Sequence, residues 1–223
     1  MKKAVLRIVL IYIVITISQS CSKDSNVSNS SATVSIGNQI WMAKNLDVDH
    51  YRNGDPIPQV TNPTIWANLT TGAWCYYDNN LANRSDYGKL YNWYAVNDPR
   101  GLAPIGYHVA SDNEWKLLIS YLDPNADIEA NINTAGSALK EMGLSHWSSP
   151  NTGATNNSGF TALPGGFCNE FGSSLINNYG FWWSASEKNV LEAWNFTLYS
   201  DMPDLQRLTN NKASGFSVRC LKD

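Results

Sequence analysis

PIGYHVASDNEWKLLISYL, residues 104–122, is the stretch that decides the fold, because a short extended segment leads here into a well-marked helix. Ser111 and Glu114 have the spacing of a capping box, in which the Ser side chain accepts from the N3 amide and the Glu carboxylate accepts from the N-cap amide. Asp123-Pro124 ends the helix. The apolar residues between these signals recur at helical spacing, and they are Trp115, Leu118, Ile119 and Leu122. The stretch therefore predicts an amphipathic helix that lies on a flat apolar surface.

The rest of the chain supplies strands and further helices around this element. Helical turns are expected over 63–69, capped by Thr61 or Asn62, and over 90–96. A shorter helix is expected over 135–142, with Leu139 and Met142 on its buried side and Gly143 at its end, and a long polar loop over 145–158 follows it. The turn dipeptide Gly37-Asn38 predicts a hairpin near the start. The expected strands are 34–36, 39–42, 73–77, 159–164, 179–184, 193–199 and 215–221, and 201–212 is interpreted as the connection between the last two. Two helices followed by a β-rich half predict an α+β fold.

The first 20 residues have the composition of an export signal. Three cations precede an apolar run at 8–17, which is shorter than the roughly 20 residues of a membrane-spanning helix. Ser18-Gln19-Ser20 before Cys21 resembles a bacterial lipobox, which implies a signal peptide over 1–20 and a diacylated Cys21 as the mature N-terminus. Two acyl chains give stable membrane attachment. The alternative is an ordinary signal peptide with an unmodified Cys21.

Residues 21–33 are polar and predict a disordered tether between the lipid anchor and one domain over 34–223. Ser22-Lys23-Asp24 partly resembles the surface-export signal of Bacteroidota lipoproteins. The expected location is therefore the outer membrane with the domain at the cell surface, and a periplasm-facing domain is the alternative.

Charge and composition narrow the class of partner. Without Lys2, Lys3 and Arg7 the chain keeps 13 basic against 19 acidic residues, a net charge of −6 with no basic cluster, which argues against nucleic acid. The 9 Trp and the many Asn suit a secreted, β-rich fold with long loops. Flat aromatic faces and side-chain amides also match the CH faces and hydroxyls of sugars.

Three cysteines follow Cys21, namely Cys75, Cys168 and Cys220. An exported protein can hold disulfides, but an odd number leaves at least one thiol free or paired elsewhere, and the sequence does not set the connectivity. No spacing of Cys and His indicates zinc, and the three His are interpreted as packing or surface residues.

Six stretches of the chain together resemble the Fibrobacter succinogenes major paralogous domain, a family found mostly in Bacteroidota and Fibrobacterota. They are 40–46 (IWMAKNL), 87–93 (YGKLYNW), 104–109 (PIGYHV) with Glu114-Trp115, 159–166 (GFTALPGG), 182–184 (WWS) and 215–220 (GFSVRC). The resemblance covers about 34–223.

A looser similarity reaches the C-type-lectin-like fold and, within it, the formylglycine-generating enzymes. It implies two helices packed on a twisted antiparallel sheet with long polar loops. A cysteine of the last strand often joins a disulfide in lectin-like folds, which implies a Cys75–Cys220 pair and a free Cys168.

The resemblance and the aromatic loops favour a non-catalytic module that binds a glycan or another cell-surface ligand, as in adhesion. The expected ligand-binding residues are Trp182, Trp183, Glu187, Trp194 and Asn195. Trp182 and Trp183 are neighbours on one strand, so at most one is expected in the core. Calcium is not favoured, because Phe196 follows Asn195 where calcium-binding lectins place an Asp ligand.

Two alternatives remain open. An assembly lipoprotein that engages other proteins would use the same exposed strands and aromatic loops. An enzyme related to the formylglycine-generating group would need a redox-active cysteine pair, for which Cys168 and Cys220 are considered. The neighbours Asn169 and Glu170 provide no cation that would favour a thiolate, so no catalytic residue is expected.

Overall fold

The computed structural model describes residues 32–223, so the predicted signal peptide, Cys21 and most of the predicted tether lie outside the described residues. The helices of this part are α1 (Pro63–Trp66), α2 (Arg84–Tyr87), α3 (Trp93–Val96), α4 (Asp112–Leu122) and α5 (Ala135–Leu139). The strands are β1 (Thr33–Ile36), β2 (Gln39–Met42), β3 (Trp74–Cys75), β4 (Leu90–Tyr91), β5 (Tyr107–Val109), β6 (Phe167–Asn169), β7 (Gly172–Ser174), β8 (Tyr179–Glu187), β9 (Glu192–Tyr199), β10 (Leu205–Asn211) and β11 (Cys220–Lys222). None of the helices in residues 32–223 has the length and apolarity needed to cross a membrane.

Helix α4 forms as its sequence predicts. Ser111 Oγ accepts from the Glu114 amide, and the Glu114 carboxylate accepts from the Ser111 amide at 2.8 Å, which completes the capping box. The buried face of the helix packs against β8 and β9. Its Trp115 ring stacks on Phe196 of β9 with 5.0 Å between the ring centroids. The helix therefore covers one face of the sheet that contains β8 and β9.

The strands form four antiparallel sheets, and together with the short helices they make a mixed fold compatible with α+β. One sheet has the order β1-β2-β11-β5 and another the order β10-β9-β8, while β3-β4 and β6-β7 are two-stranded. In the first sheet Leu221 of β11 lies between Trp41 of β2 and His108 of β5. The last strand therefore closes the fold by joining the N-terminal hairpin to the strand that precedes α4.

Several predicted elements differ in the structure. The strand expected over 159–164 is a loop with one isolated bridge at Ala162. Helix α5 ends at Leu139, so Met142, expected to be buried, is 68% exposed. The stretch 90–96, expected to be helical, divides at Asn92 into β4 and α3. Strand β10 lies in a segment interpreted as a connection, because its polar sequence LQRLTNN carries little strand signal.

Tryptophan side chains hold the irregular segments in place. Of the nine, all but Trp194 are buried. A buried indole N–H usually finds an acceptor, and five of these eight rings donate to backbone carbonyls, three of which lie in loops. Trp74 Nε1 donates to Ile57 O at 2.8 Å and Trp147 Nε1 donates to Ala162 O at 2.9 Å. The abundance of Trp therefore reflects core packing at eight of the nine positions.

Candidate functional site

The two central residues of the predicted ligand site are inaccessible. Trp182 and Trp183 are both 0% exposed, so the expectation that at most one belongs to the core is wrong. The physical reason is that β8 is covered on both faces: Trp182 packs in the cluster with Trp115 of α4, and Trp183 packs in the cluster with Phe216. Neither ring can contact a ligand without unfolding its side of the sheet.

The other three predicted ligand residues do not form a common cleft. Asn195 is 0% exposed, donates to Thr197 Oγ1 at 2.9 Å and accepts from Asn210 Nδ2, so its amide is used internally. Glu187 is half exposed and accepts from Lys212 Nζ. Trp194 is half-buried, and two cationic side chains, those of Arg207 and Lys188, lie 3.4 and 4.6 Å from its ring centroid.

The structure places the cysteines differently from the predicted pairing. Cys75 Sγ lies 2.8 Å from Cys168 Sγ, so Cys168 is the residue that faces Cys75. Cys220 is 0% exposed in a separate core cluster, and its backbone pairs with Val109 of β5. The predicted Cys75–Cys220 pair and the isolated Cys168 are therefore wrong in this geometry. The last strand lies in the interior of its sheet, away from β3.

A pocket of about 170 Å³ opens beside the two facing cysteines. Its walls are the segment 60–63 with α1, the 3₁₀ turn Tyr77–Asn79, and the β6–β7 hairpin. Its floor consists of Trp66, Cys75 and Cys168, each at most 5% exposed. The pocket thus combines an apolar floor with walls from three separate segments of the chain.

Three asparagines on the pocket wall have one amide atom fixed and the other unused. Asn62 Oδ1 accepts from the Ile65 amide at 3.1 Å as the N-cap of α1, and Asn79 Nδ2 donates to Thr61 O at 3.2 Å. Asn169 Oδ1 accepts from the Phe171 amide at 2.9 Å. The complementary atoms Asn62 Nδ2, Asn79 Oδ1 and Asn169 Nδ2 have no hydrogen-bond partner within residues 32–223. Each amide is therefore oriented by the fold and still able to bond a ligand.

An exposed aromatic side chain lies in the hairpin that forms one wall of this pocket. Phe171 lies at the tip of the β6–β7 hairpin, between pocket residues Asn169 and Gly172, and is 88% exposed. Gly172 has φ of 100°, a conformation that favours glycine in the tight turn. The hairpin is tied to the opposite wall because the Asp78 amide donates to Ser173 Oγ at 2.8 Å. The ring therefore projects from an anchored support.

A second polar cluster, called here the Asn45 network, lies wholly inside the protein. Asn45 Oδ1 accepts from Trp182 Nε1 at 2.9 Å and from Arg219 Nε and Nη2 at 3.1 and 3.0 Å. Asn45 Nδ2 donates to Tyr87 O at 2.9 Å and Ser217 Oγ at 3.2 Å. Every polar atom of the Asn45 amide is used.

Arg219 extends this network to further loops. Its Nη1 donates to Met42 O at 3.0 Å and Phe160 O at 2.9 Å, and its guanidinium carbon lies 4.2 Å from the Phe160 ring centroid. The side chain is 1% exposed, and its acceptors within residues 32–223 are all uncharged. Five of the six stretches singled out in the sequence therefore meet here, through Asn45, Tyr87, Phe160, Trp182, and Ser217 with Arg219.

A family model described as the Fibrobacter succinogenes major domain matches residues 34–222. The chain belongs to this family. No match is found among curated proteins or among solved structures. In this Fibrobacter succinogenes major domain, the stretches that carry the family resemblance supply the Asn45 network, whereas none of the three pocket-wall asparagines or Phe171 belongs to them. The family motifs thus explain the interior of the domain and not its pocket.

The described residues also bear on the metal prediction and on the pocket residues that the sequence did not predict. Within residues 32–223 of this Fibrobacter succinogenes major domain, no group of three or more His, Cys, Asp or Glu side chains is placed to hold a metal ion. The expectation that calcium is not required stays a prediction. Sequence reasoning missed Asn62, Asn79, Asn169 and Phe171 as site residues. The signal was their position at the ends of elements or in turns, with Asn79 at φ of 54°, where Asn is common.

Proposed function

We propose that this domain is a non-catalytic binding module that takes a sugar unit, or an equally small polyhydroxylated group of a larger cell-surface ligand, into the pocket beside Phe171. The observation that carries the proposal is the set of three fixed asparagine amides, each with one unused polar atom, around an apolar floor. Side-chain amides offer both donors and acceptors to hydroxyl groups. Phe171 offers an apolar face to the CH side of a ring.

The size of the pocket limits what it can hold. Pockets for drug-sized ligands measure roughly 300–1,000 Å³, whereas this one measures about 170 Å³. It suits one terminal group of a longer chain better than a complete small-molecule ligand. The remaining contacts of such a chain would lie on the open surface around Phe171, where each contributes little and several together give avidity.

The chemistry of the cysteines supports binding over catalysis. When Cys168 is reduced, burial raises the pKa of its thiol well above the usual value, and the neighbouring Cys75 raises it further. A thiol nucleophile needs the opposite shift, produced by nearby cations or a helix N-terminus. Turnover of a substrate that depends on Cys168 would contradict this part of the proposal.

The setting of the module is also part of the proposal. We infer a lipid anchor at Cys21, an outer-membrane location with the domain at the cell surface, and a C-type-lectin-like relationship of the fold. The apolar run at 8–17 and the following Ser18-Gln19-Ser20-Cys21 support the anchor. Mass spectrometry of the N-terminal peptide, and protease treatment of intact cells, would test anchor and exposure separately.

The experiment for the binding function is a screen of the full-length chain against glycans and polysaccharides, with and without calcium. A saturable interaction should weaken about tenfold in Phe171→Ala and in Asn79→Gly, equivalent to about 1.4 kcal/mol. Glycine is chosen at 79 because it removes the amide and accepts the left-handed backbone. Tyr121→Ala is the matched control, since Tyr121 is 60% exposed on α4, which contributes nothing to the pocket.

The outcomes separate the two candidate functions. Binding that survives both pocket variants unchanged would remove the pocket from the proposal. A folded protein with no glycan interaction would favour the assembly alternative, which crosslinking on intact cells would then test. That alternative draws on the exposed Val190 and Leu191 at the tip of the β8–β9 hairpin, which are 84% and 68% exposed.

A further inference from the structure

Two buried thiols face each other between segments that are otherwise far apart. Cys75 in β3 and Cys168 in β6 are separated by 93 positions in sequence, and their sulfur atoms lie 2.8 Å apart. Both side chains are buried, at 4% and 5% exposure, in a cluster that also contains Trp66 and Leu90. Within residues 32–223, the only side-chain hydrogen bond of either sulfur is to the other sulfur.

A glycine keeps Cys168 in this position. Cys168 and Gly215 exchange two backbone hydrogen bonds, at 3.0 Å from Cys168 N to Gly215 O and 2.8 Å from Gly215 N to Cys168 O. A Cβ atom at position 215 would overlap Cys168 Sγ and would also lie 2.8 Å from the Trp66 ring. The sulfur therefore occupies the space that a larger residue would fill, and its other side is directed at Cys75.

We propose that Cys75 and Cys168 form a disulfide bond in the exported protein. The two thiols release two protons and two electrons as the sulfur–sulfur bond forms, and the electrons reduce the disulfide of a thiol–disulfide oxidoreductase to two thiols. The export signal expected at residues 1–20 places the chain in a compartment where such oxidants operate.

The bond forms before the interior closes. Exchange requires a thiolate, and burial raises the pKa of Cys168 in the folded state. The oxidoreductase therefore acts on the unfolded or partly folded chain, and the folded protein protects the product. The bond joins β3 to the β6–β7 hairpin and fixes the floor of the pocket. The inference stands on the cysteine geometry and does not rest on the proposed binding function.

Peptide mapping tests the pairing directly. The full-length chain, exported to an oxidising compartment, is denatured and alkylated without reductant and then digested with trypsin. Cleavage separates the cysteines because Cys75 falls in 53–84, Cys168 in 141–188 and Cys220 in 220–222. We expect 53–84 linked to 141–188, and 220–222 alkylated. A link that includes Cys220 or Cys21, or alkylation of both Cys75 and Cys168, would overturn the inference.

Thermal unfolding tests the Cys75–Cys168 pairing independently, with Cys220→Ser as the matched variant. A reductant should lower the Tm of the wild type and of Cys220→Ser by roughly 10 °C, because the bond closes a long loop of the unfolded chain. The reductant should leave the Tm of Cys75→Ser and Cys168→Ser unchanged. A reductant effect that persists in Cys75→Ser would refute the pairing, and peptide mapping decides the question if a variant does not fold.

Discussion

Asn45 and Asn79 represent two opposite uses of the same side chain in one domain. Asn45 is buried and its amide makes five hydrogen bonds, to Trp182, Arg219, Tyr87 and Ser217. Asn79 is exposed, one of its amide atoms is fixed, and the other is unused. Polar groups whose donors and acceptors are all used inside the fold specify the structure. Polar groups that are oriented at the surface but keep an unused donor or acceptor remain available for a ligand.

Removing a side-chain amide should cost more free energy of unfolding inside the protein than at its surface. Removing a partner from a buried polar group leaves the other group without water or protein to bond, which costs about 1–3 kcal/mol for a neutral group and more for a charge. Removing an exposed amide leaves its former partner free to bond water. The Asn45 network should therefore respond strongly to substitution in stability, and the pocket wall should respond mainly in binding.

The largest effect is expected for Arg219→Ala. The change removes the donors to Met42 O and Phe160 O, and it leaves a cavity beside the Phe160 ring. We expect a loss of about 3–5 kcal/mol in the free energy of unfolding. Urea unfolding followed by Trp fluorescence measures it.

A surface arginine provides the control for this prediction. Arg100 is 39% exposed and pairs with Asp98 and Asp55. Arg100→Ala should cost far less than Arg219→Ala, because exposed ion pairs contribute little to stability. Equal losses in Arg219→Ala and Arg100→Ala would show that burial of the network is not what stabilises the fold.

A somewhat smaller effect is expected for Lys140→Met, which tests a second saturated cation. Lys140 is 0% exposed, and its Nζ donates to Thr152 O at 2.9 Å, Tyr199 O at 3.0 Å and Met202 O at 2.7 Å. These bonds hold the long polar loop 145–158 against the end of β9. Methionine keeps the length and loses the donors, so we expect a loss of about 2–3 kcal/mol.

The mobility of the loop 145–158 distinguishes this tethering role of Lys140 from a general loss of packing. Amide hydrogen exchange in 145–158 should increase in Lys140→Met beyond the change in global stability. Lys44→Met, at an exposed position without a side-chain hydrogen bond in the described part of the chain, should change neither quantity. Unaltered exchange in the loop would contradict the assignment.

The smallest effect is expected at the surface cluster of His108, Glu114 and Asp223. Partial burial lowers the pKa of His108, but hydrogen bonds to Asp223 at 2.7 Å and Glu114 at 2.8 Å outweigh it and raise the pKa above its usual 6.5. Burial raises the pKa of Glu114, but hydrogen bonds from Ser111 and His108 outweigh that effect, so it lies below 4.5.

The pH dependence of stability follows from these directions. The His108 contribution is complete below pH 6.5 and is lost as the pH rises through its folded pKa, whereas the Glu114 contribution is complete above pH 4.5 and is lost at lower pH. Because the cluster is partly exposed, His108→Gln should cost about 0.5–1 kcal/mol near pH 5.5 and less at pH 8.5. Urea unfolding at both pH values measures this, and an equal cost at the two values would contradict the assignment.

Local sequence signals predicted the elements that depend on local chemistry. The capping box at Ser111 and Glu114 located α4, and Gly37-Asn38 located the first hairpin. Asn62 was one of two predicted caps for α1 and is the one observed. These signals are reliable because the residues that make the hydrogen bonds are close together in sequence.

Strands that are defined by pairing with distant parts of the chain could not be predicted from local sequence signals. Strand β10 is polar along its length and is defined by its partner β9, and β6 and β7 are only three residues each. The burial of both Trp182 and Trp183 depends on layers that cover the two faces of β8. Alternation within a strand shows that neighbouring side chains point apart, but it does not show what covers each face.

The candidate pocket was not predictable because its parts come from three separate segments. Asn62 caps α1, Asn79 lies in a 3₁₀ turn and Asn169 ends β6 before its hairpin turn, and asparagine is common at such positions for backbone reasons alone. Only the folded chain shows that their unused amide atoms lie around one floor. The cysteine pair was missed for the same reason, since 93 positions separate its members.

Urea unfolding of Asn45→Ala and Asn79→Gly under identical conditions tests the distinction most directly. We expect a loss of about 4 kcal/mol for Asn45→Ala, because Arg219 and Trp182 lose their shared acceptor, and a change within about 0.5 kcal/mol for Asn79→Gly. Similar losses for the two variants would contradict the distinction between saturated polar groups that specify the fold and unsaturated ones that remain free for a ligand.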